Sequence, residues 1–259
     1  MGCVMRNTVL KRAYYLAEVV GAPADRLALL EEHTGEAWTP PRLDADTVSS
    51  LVDHTILSFD ATKEVIDRLC AEAAEYGFAA VCVNPAWVAR AKASRERLNG
   101  RFCIASVVDF PLGASTFVAR RAEAASAVEA GADELDLVIG IGLLKSQCYA
   151  EVYEGIRCVA EKGAFLKVIL ETSVLTPEEK IDAAILAVFG GAHMLKTSTG
   201  VNGKATPDDV AFLRFIVGKA LGVKAAGGIR DRATLEQMVA AGADRIGSSS
   251  SCVIVKQWM

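Results

Sequence analysis

Charged side chains interrupt apolar segments at nearly equal intervals in the second half of the chain. These residues are Asp136, Lys167, Lys196 and Lys224. Because charged groups are rarely buried without partners, a set repeated at this spacing favours a functional site. Two alternatives remain open: a buried structural ion-pair cluster, or lysines whose ammonium groups extend outward to solvent.

The chemistry that such a set could perform depends on the protonation of lysine. A lysine amine is a nucleophile only when it is unprotonated, and its ordinary pKa of about 10.4 keeps it charged near neutral pH. Burial and a second ammonium group nearby both lower that pKa. Lys196 and Lys224 lie on consecutive apolar segments, and Asp136 could hold a water molecule or move protons. The set predicts attack on a carbonyl to form a Schiff base, but the spacing does not indicate which lysine forms it.

Glycine- and hydroxyl-rich segments follow the last three apolar segments and indicate an anion site. The first spans Thr197 to Gly200, the second is Gly227-Gly228 with Arg230 close behind, and the third begins at Gly247. Backbone N–H groups in such loops bind phosphate, especially after the last two strands of a barrel. The segments together predict a phosphorylated ligand.

Eight short apolar runs alternate with amphipathic segments from residue 43 onward. The runs are Leu51–Leu57, Ala79–Val83, Phe102–Asp109, Glu134–Ile139, Phe165–Leu170, Ala192–Lys196, Gly222–Ala226 and Asp244–Gly247. This alternation predicts an α/β protein with a (β/α)₈ TIM barrel, in which active sites lie at the carboxyl ends of the strands. A doubly wound open sheet is the alternative, but the first predicted strand lacks the GxGxxG loop typical of that fold.

The amphipathic segments between these runs are predicted helices. They cover residues 62–76, 85–98, 116–130, 145–162, 177–189, 207–221 and 233–241. Residues 1–42 differ from the rest and are predicted to form a short helical N-terminal extension, with helices over 10–20 and 25–32. Pro40-Pro41 ends this helical pattern, since proline cannot continue a helix. Residues 43–259 are therefore the predicted TIM-barrel catalytic domain.

Composition argues against several classes of function. The net charge of −4 opposes nucleic-acid binding, and the longest apolar run is too short to cross a membrane. Seven cysteines without a CxxC pair, together with no evident signal peptide, predict a cytoplasmic protein. The histidines lack metal-ligand spacing, so no metal or other cofactor is expected, and His54 and His193 are interpreted as structural. Cys82 lies near a predicted strand end and could contact substrate, as could Thr197.

Five segments resemble the deoxyribose-phosphate aldolase family. These segments are Leu51–Leu57 (LVDHTIL), Ala132–Val138 (ADELDLV), Phe165–Thr172 (FLKVILET), Met194–Gly200 (MLKTSTG) and Val223–Arg230 (VKAAGGIR). The resemblance runs in order from about residue 50 to 255. It implies a class I aldolase that cleaves 2-deoxy-D-ribose 5-phosphate to acetaldehyde and glyceraldehyde 3-phosphate without a cofactor.

The resemblance also implies residue roles. Lys196 matches the Schiff-base lysine, Lys224 the second lysine that lowers its pKa, and Asp136 the proton-relay carboxylate. Lys167 matches a supporting lysine that contacts Asp136 and substrate hydroxyls. The positions that match the phosphate side are Gly200, Gly227, Gly228, Arg230, Gly247, Ser249 and Ser250.

Two positions depart from the family pattern. Many relatives carry Asn where this chain has Gly140, and some carry Pro where it has Ala225.

A phosphosugar isomerase or synthase barrel with a carboxylate base, or a barrel that only binds a sugar phosphate, would share the phosphate signals. A homodimer or higher homo-oligomer is expected, because barrels of this kind often pair.

Overall fold

The computed structural model describes residues 2–258, and its centre is a closed barrel of eight parallel strands. Met1 and Met259, the outermost positions of the predicted extension and barrel domain, lie outside the described residues. The strands are β1 (Val52–Ile56), β2 (Ala80–Val83), β3 (Cys103–Val108), β4 (Glu134–Val138), β5 (Phe165–Ile169), β6 (Met194–Lys196), β7 (Gly222–Ala226) and β8 (Arg245–Ser248). They pair in chain order and β8 pairs with β1. Seven predicted runs contain their strand, and β8 extends one residue past its predicted run to Ser248, so the predicted TIM barrel is confirmed.

Helices surround the barrel and precede it. They are α1 (Gly2–Val20), α2 (Ala24–His33), α3 (Ala45–Ser50), α4 (Lys63–Tyr76), α5 (Val88–Leu98), α6 (Phe117–Ala130), α7 (Ile141–Lys145), α8 (Tyr149–Ala160), α9 (Pro177–Phe189), α10 (Pro207–Val217), α11 (Arg232–Ala241) and α12 (Ser251–Val255). None of the helices within residues 2–258 combines the length and apolar character that a membrane span requires.

The helix boundaries follow local signals in the sequence. Thr176 and Glu179 form a reciprocal capping box at the start of α9, where Pro177 takes the first turn. Gly77 and Gly131 end α4 and α6 in the left-handed conformation, with φ of 68° and 108°. These ends return the chain to the next strand, as the Tyr76-Gly77 and Ala130-Gly131 pairs predict.

Four helix predictions differ from the structure. The predicted helix over 10–20 begins earlier, at Gly2, as α1. The predicted helix over 145–162 is two helices, α7 and α8, because Gln147 takes a left-handed φ of 57° between them. The predicted helix over 207–221 ends at Val217, since Gly218 has a φ of 50°. Pro85 begins a single 3₁₀ turn instead of the α-helix itself. The short helices α3 and α12 were not predicted, because each has only five or six residues.

The N-terminal helices pack on the outer wall of the barrel. Helix α1 lies against α8 and α9, and α2 lies against α9 and α10. Arg12 donates to Asp182 on α9 at 2.5 Å and to the Tyr149 hydroxyl on α8 at 2.6 Å. The helices of residues 2–33 fall inside the predicted extension, and the division into an extension and a barrel domain stays a prediction.

Alternation along the strands separates apolar from charged side chains. On β4, Leu135 and Leu137 join the apolar core between strands and helices, whereas Glu134 and Asp136 belong to a buried charged cluster. Successive side chains of a strand point to opposite faces, so these charges lie inside the barrel. The barrel interior therefore holds the polar site, and the apolar core surrounds it.

Candidate active site

Strand register brings the four predicted charged residues into one cluster. Asp136 pairs with Lys167 across β4 and β5, and Lys196 pairs with Lys224 across β6 and β7. Nearly equal spacing along the chain does not give all four residues the same register position, because one step between neighbouring strands is offset. Lys196 pairs with Ile169, and Lys167 pairs with Met194. Lys167 therefore lies one inward-facing position closer to the amino ends of the strands.

Asp136 joins the three lysines. Its Oδ2 accepts hydrogen bonds from Lys196 Nζ at 2.7 Å and Lys224 Nζ at 2.8 Å. Its Oδ1 accepts one from Lys167 Nζ at 2.8 Å. All four side chains are buried. The alternative in which the lysines extend outward to solvent is therefore wrong.

Two further carboxylates and an arginine extend this set around Lys167. Lys167 Nζ is 2.5 Å from Glu134 Oε2 and 3.5 Å from Asp53 Oδ2. Asp53 also accepts a hydrogen bond from Lys224 and is 2.6 Å from Arg245 Nη1. We call Lys167, Asp53, Glu134 and Arg245 the lower level, and Lys196, Lys224 and Asp136 the upper level.

Burial and neighbouring charges give the lysines opposite pKa shifts. Burial lowers the pKa of Lys196, and the ammonium of Lys224 lowers it further, against the opposing effect of Asp136. Burial would also lower the pKa of Lys167, but Asp136, Asp53 and Glu134 together raise it. The pKa of Lys224 is likewise raised, because Asp136 and Asp53 outweigh the effect of burial.

The charge balance of the cluster agrees with a neutral Lys196. The carboxylates are Asp53, Glu134 and Asp136, and the basic side chains are Lys167, Lys196, Lys224 and Arg245. Burial favours a raised pKa for Asp136, but the three lysines hold it well below its ordinary value. With Lys196 neutral, three cations balance three anions, and no net charge is buried. The lowered pKa of Lys196 is in the direction that this balance favours.

A cavity of about 340 Å³ opens over Lys196 at the carboxyl ends of the strands. Several predicted site residues line it: Lys196, Gly200, Gly227, Gly228, Arg230, Gly247 and Ser249. The neighbouring loop is held by Glu171, whose Oε2 accepts hydrogen bonds from Thr199 N at 3.1 Å and Thr199 Oγ1 at 2.5 Å. The structure thus joins the lysine site and the glycine-rich loops around one cavity.

The glycines at this rim allow the loops to approach closely. Gly227 has a φ of 101°, and a Cβ there would lie 2.9 Å from the carbonyl oxygen of Gly203. A Cβ on Gly200, whose φ is 81°, would lie 3.3 Å from the Gly227 Cα. Side chains at either position would strain the backbone and separate the loops, so only glycine fits both.

Three predicted substrate-binding residues lie outside the cavity lining. Thr197 is buried, and its hydroxyl donates to the carbonyl of Ala226 and accepts from the Ala226 amide, so it joins β6 to β7. Cys82 lies 4.0 Å from Asp136 inside the barrel, where burial raises the pKa of its thiol. Ser250 follows the lining residue Ser249, and its amide donates to the Ser248 hydroxyl.

The lower level contains the charged residues that sequence reasoning missed. Asp53 lies in the first predicted strand, but no role was predicted for it. Glu134 and Arg245 each begin a strand, and attention to strand ends overlooked both. Their charge within apolar runs was the available signal.

The two histidines that were interpreted as structural lie outside the cluster. His54 follows Asp53 on β1 and faces the surrounding helices, with its Nε2 2.7 Å from Glu72. His193 precedes β6, where its Nδ1 accepts a hydrogen bond from the Leu166 amide at 3.0 Å and its ring stacks on Phe165. Neither ring contacts the charged cluster.

The departures from the family pattern leave the charged groups in place. Gly140 precedes α7, and a Cβ there would lie 3.0 Å from Leu143. Ala225 is buried in the apolar core, on the face of β7 opposite Lys224. Neither position belongs to the charged cluster or the cavity lining.

The fold and this cavity define a barrel enzyme with a buried lysine–carboxylate site at the carboxyl ends of its strands. The chain belongs to the DeoC/LacD family of aldolases, whose family model matches residues 47–251. It is 48% identical over 215 residues to a deoxyribose-phosphate aldolase of Geobacillus sp. (strain WCH70), covering 82% of this chain and 96% of that one. A Coprothermobacter proteolyticus protein of the same name is 49% identical over 210 residues, with coverage of 80% and 95%.

Solved structures agree with this family. A candidate deoxyribose-phosphate aldolase from Coccidioides immitis has a TM-score of 0.83 and 35% identity, covering 95% of this chain and 97% of that chain. The tetrameric deoxyribose phosphate aldolase from Aeropyrum pernix has a TM-score of 0.76 and 32% identity, with coverage of 91% and 98%.

Proposed function

We propose that the protein is a deoxyribose-phosphate aldolase that reversibly cleaves 2-deoxy-D-ribose 5-phosphate to glyceraldehyde 3-phosphate and acetaldehyde. The observation that carries the proposal is Lys196, a buried lysine at the cavity with a lowered pKa and a hydrogen bond to Asp136. The membership of the chain in an aldolase family supports the same reaction.

The first stage of the reaction forms a covalent intermediate. The neutral amine of Lys196 adds to the C1 aldehyde of the open-chain sugar, and loss of water gives an iminium. Asp136 is within hydrogen-bond distance of both Lys196 and Lys224, so it can pass protons between the reacting nitrogen and the second lysine.

The second stage breaks the carbon–carbon bond. The C3 hydroxyl loses its proton, the C2–C3 bond electrons move into the iminium, and glyceraldehyde 3-phosphate leaves. The remaining enamine takes a proton at C2, and water hydrolyses the new iminium to acetaldehyde and free Lys196. Asp136, Lys224 and a water molecule are the proposed proton carriers, and Lys167 supports Asp136 from the lower level.

The loops at the cavity rim are the proposed phosphate site. Gly227, Gly228 and Gly247 place backbone beside the cavity, Ser249 adds a hydroxyl, and Arg230 adds a positive charge. Thr197, Ser250 and Cys82 are assigned supporting positions behind the lining. Substrate phosphate at this rim would place the sugar chain over Lys196.

Reductive trapping tests the covalent step. Incubation with acetaldehyde and borohydride should add an N-ethyl group to Lys196, found by mass spectrometry of the digested protein. Lys167→Met is the matched control, since it removes a buried lysine and should leave the adduct on Lys196. An adduct on Lys167, or no adduct in an active preparation, would contradict the assignment.

We further propose a homo-oligomer in the cytoplasm. The tetrameric relative from Aeropyrum pernix supports self-association, and the free cysteines of the chain suit a reducing compartment. Light scattering coupled to size-exclusion chromatography measures the assembly. A monomer at micromolar concentration would overturn the first part of this proposal.

A further inference from the structure

Among the described residues, one group of metal-ligating side chains lies outside the aldolase site. It consists of His54 on β1, Glu72 on α4 and Cys252 on α12, whose ligand atoms all lie within 4.8 Å of one another. His54 Nε2 is 2.7 Å from Glu72 Oε2 and 4.0 Å from Cys252 Sγ. Three different elements therefore direct an imidazole, a carboxylate and a thiol to one point.

This group belongs to the opposite face of β1 from the charged cluster. His54 follows Asp53 directly, and consecutive strand residues point to opposite faces. Asp53 lies inside the barrel with Lys224 and Lys167, whereas His54 faces α4 and α12. This group, which we call the triad, is thus separated from the aldolase site by the barrel wall, and the proposed function makes no use of it.

The hydrogen bonds of His54 differ from those of the histidine in a nucleophilic triad. Both neighbours approach the same ring nitrogen, Nε2, while His54 Nδ1 is buried without a hydrogen-bond partner in the described part of the chain. A nucleophilic triad would instead place the carboxylate on one ring nitrogen and the thiol on the other. Three ligand atoms of different chemical types within 4.8 Å of one another can close around a shared ion.

We propose that His54, Glu72 and Cys252 bind a transition-metal ion of the Zn²⁺ class. Thiolate and imidazole ligands select zinc or cobalt over magnesium and calcium, which prefer oxygen. Three protein ligands leave the fourth tetrahedral position for water, and the Glu72 side chain is 32% exposed, so solvent reaches the group. Binding displaces the thiol proton and leaves a neutral imidazole whose proton is on Nδ1.

The geometry requires only small side-chain movements. Tetrahedral zinc with ordinary bond lengths places its ligand atoms about 3.3–3.6 Å apart. The His54–Glu72 distance of 2.7 Å must open slightly, and the His54–Cys252 distance of 4.0 Å must shorten slightly. Each change is below about 1 Å, which rotation of the half-exposed Glu72 and Cys252 side chains can supply.

A bound metal would connect strand β1 to the rim of the cavity. Cys252 lies in α12, which begins at Ser251 directly after the rim residue Ser249 and its neighbour Ser250. The ion would therefore hold α12 against β1 and α4, and stabilise the folded chain by binding it selectively.

Cobalt titration tests the site on the full chain after removal of metal with a chelator. We expect one Co²⁺ per chain, with a thiolate-to-cobalt charge-transfer band in the near ultraviolet that Zn²⁺ abolishes. Cys252→Ser should lose this band, and Cys158→Ser should keep it because Cys158 lies on α8, away from the triad. No band in the wild type, or a band that survives Cys252→Ser, would overturn the proposal.

A second measurement covers the case in which Cys252→Ser fails to fold. Glu72→Gln should weaken Zn²⁺ binding by about tenfold or more in competition with a chromophoric chelator. Zn²⁺ should raise the melting temperature of the wild type in a concentration-dependent manner and raise that of Glu72→Gln less. Equal zinc affinity of the wild type and Glu72→Gln would overturn the proposal. Lys196→Ala should bind zinc like the wild type, so this result is independent of the proposed aldolase reaction.

Discussion

The upper and lower levels of the charged cluster each contain a lysine in the barrel interior, Lys196 in the upper level and Lys167 in the lower level. Lys196 and Lys167 are both buried, yet the pKa of Lys196 is lowered and that of Lys167 is raised. Lys196 has one carboxylate partner, Asp136, whereas Lys167 has Asp136, Glu134 and Asp53 within 3.5 Å. Burial alone therefore does not produce a nucleophilic lysine. The number of carboxylates around each buried lysine sets the direction of its pKa shift.

Loss of Lys196 should remove turnover and leave stability near neutral pH nearly unchanged. Lys196→Met should lower kcat/KM for deoxyribose 5-phosphate on the order of 10⁴-fold or more, because the covalent step is lost. Near neutral pH its free energy of unfolding should not fall more than about 1 kcal/mol below that of wild type, since the lowered pKa of Lys196 means that folding disfavours its ammonium form. Coupled aldehyde assays and urea unfolding measure the two effects. Large destabilisation would mean that Lys196 is charged in the folded protein.

Loss of Lys167, the lysine of the lower level, should instead cause a large loss of stability. Lys167→Met leaves Glu134, Asp53 and Asp136 with too few cations in a buried site. Unpaired buried charge of this kind costs about 3–5 kcal/mol of stability. Urea unfolding of both variants, side by side, measures the contrast, and borohydride trapping tests whether any folded Lys167→Met still forms the adduct. Equal stability of Lys167→Met and Lys196→Met would refute the assigned difference between the levels.

Removal of the Lys224 ammonium should raise the pKa of Lys196 and so make Lys196 more like Lys167. Lys224→Met removes a charge that lowers the pKa of Lys196 and frees Asp136 to raise it. The acid limb of the pH profile of kcat/KM should move to higher pH, and the rate near neutral pH should fall by about tenfold for each unit of pKa change. Lys224→Arg keeps the cation and should move the limb less. A slower enzyme with an unmoved limb would restrict Lys224 to proton transfer.

The smallest expected effect is a change with pH, in alkaline solution, of the contribution of Lys196 to the free energy of unfolding. The folded pKa of Lys196 lies below its ordinary value of 10.5, so between these two values the unfolded chain binds one more proton than the folded chain. The contribution of Lys196 to stability should therefore rise with pH across this window, by at most about 1.4 kcal/mol per unit. Lys167 and Lys224 have raised pKa values, so their contributions are complete below 10.5 and are lost only above it. Urea unfolding of wild type and Lys196→Met from pH 7 to 9.5 measures the difference between them, which should grow in favour of the wild type. A constant difference would contradict the lowered pKa.

Part of the site was predictable because it is local in sequence. Lys196 begins a segment of hydroxyl residues that ends at Gly200, and Lys224 precedes Gly227-Gly228, so strand ends and loops could be read together. The partners of Lys167 were not predictable in this way. Glu134 and Asp53 belong to β4 and β1, and their contacts with Lys167 on β5 inside the barrel depend on how the sheet closes.

The sequence by itself determined the eight strands, the intervening helices and the lysines of the site, because these depend on local alternation of apolar and polar residues. Only the tertiary structure decided which charges meet. A two-residue offset between Lys167 and Lys196 follows from barrel register, and Thr197 faces β7 instead of the cavity. Hydrogen bonding between strands, together with closure of the barrel, fixes those positions. The protonation of each lysine follows from them, since electrostatic interaction depends on distances that spacing along the chain does not specify.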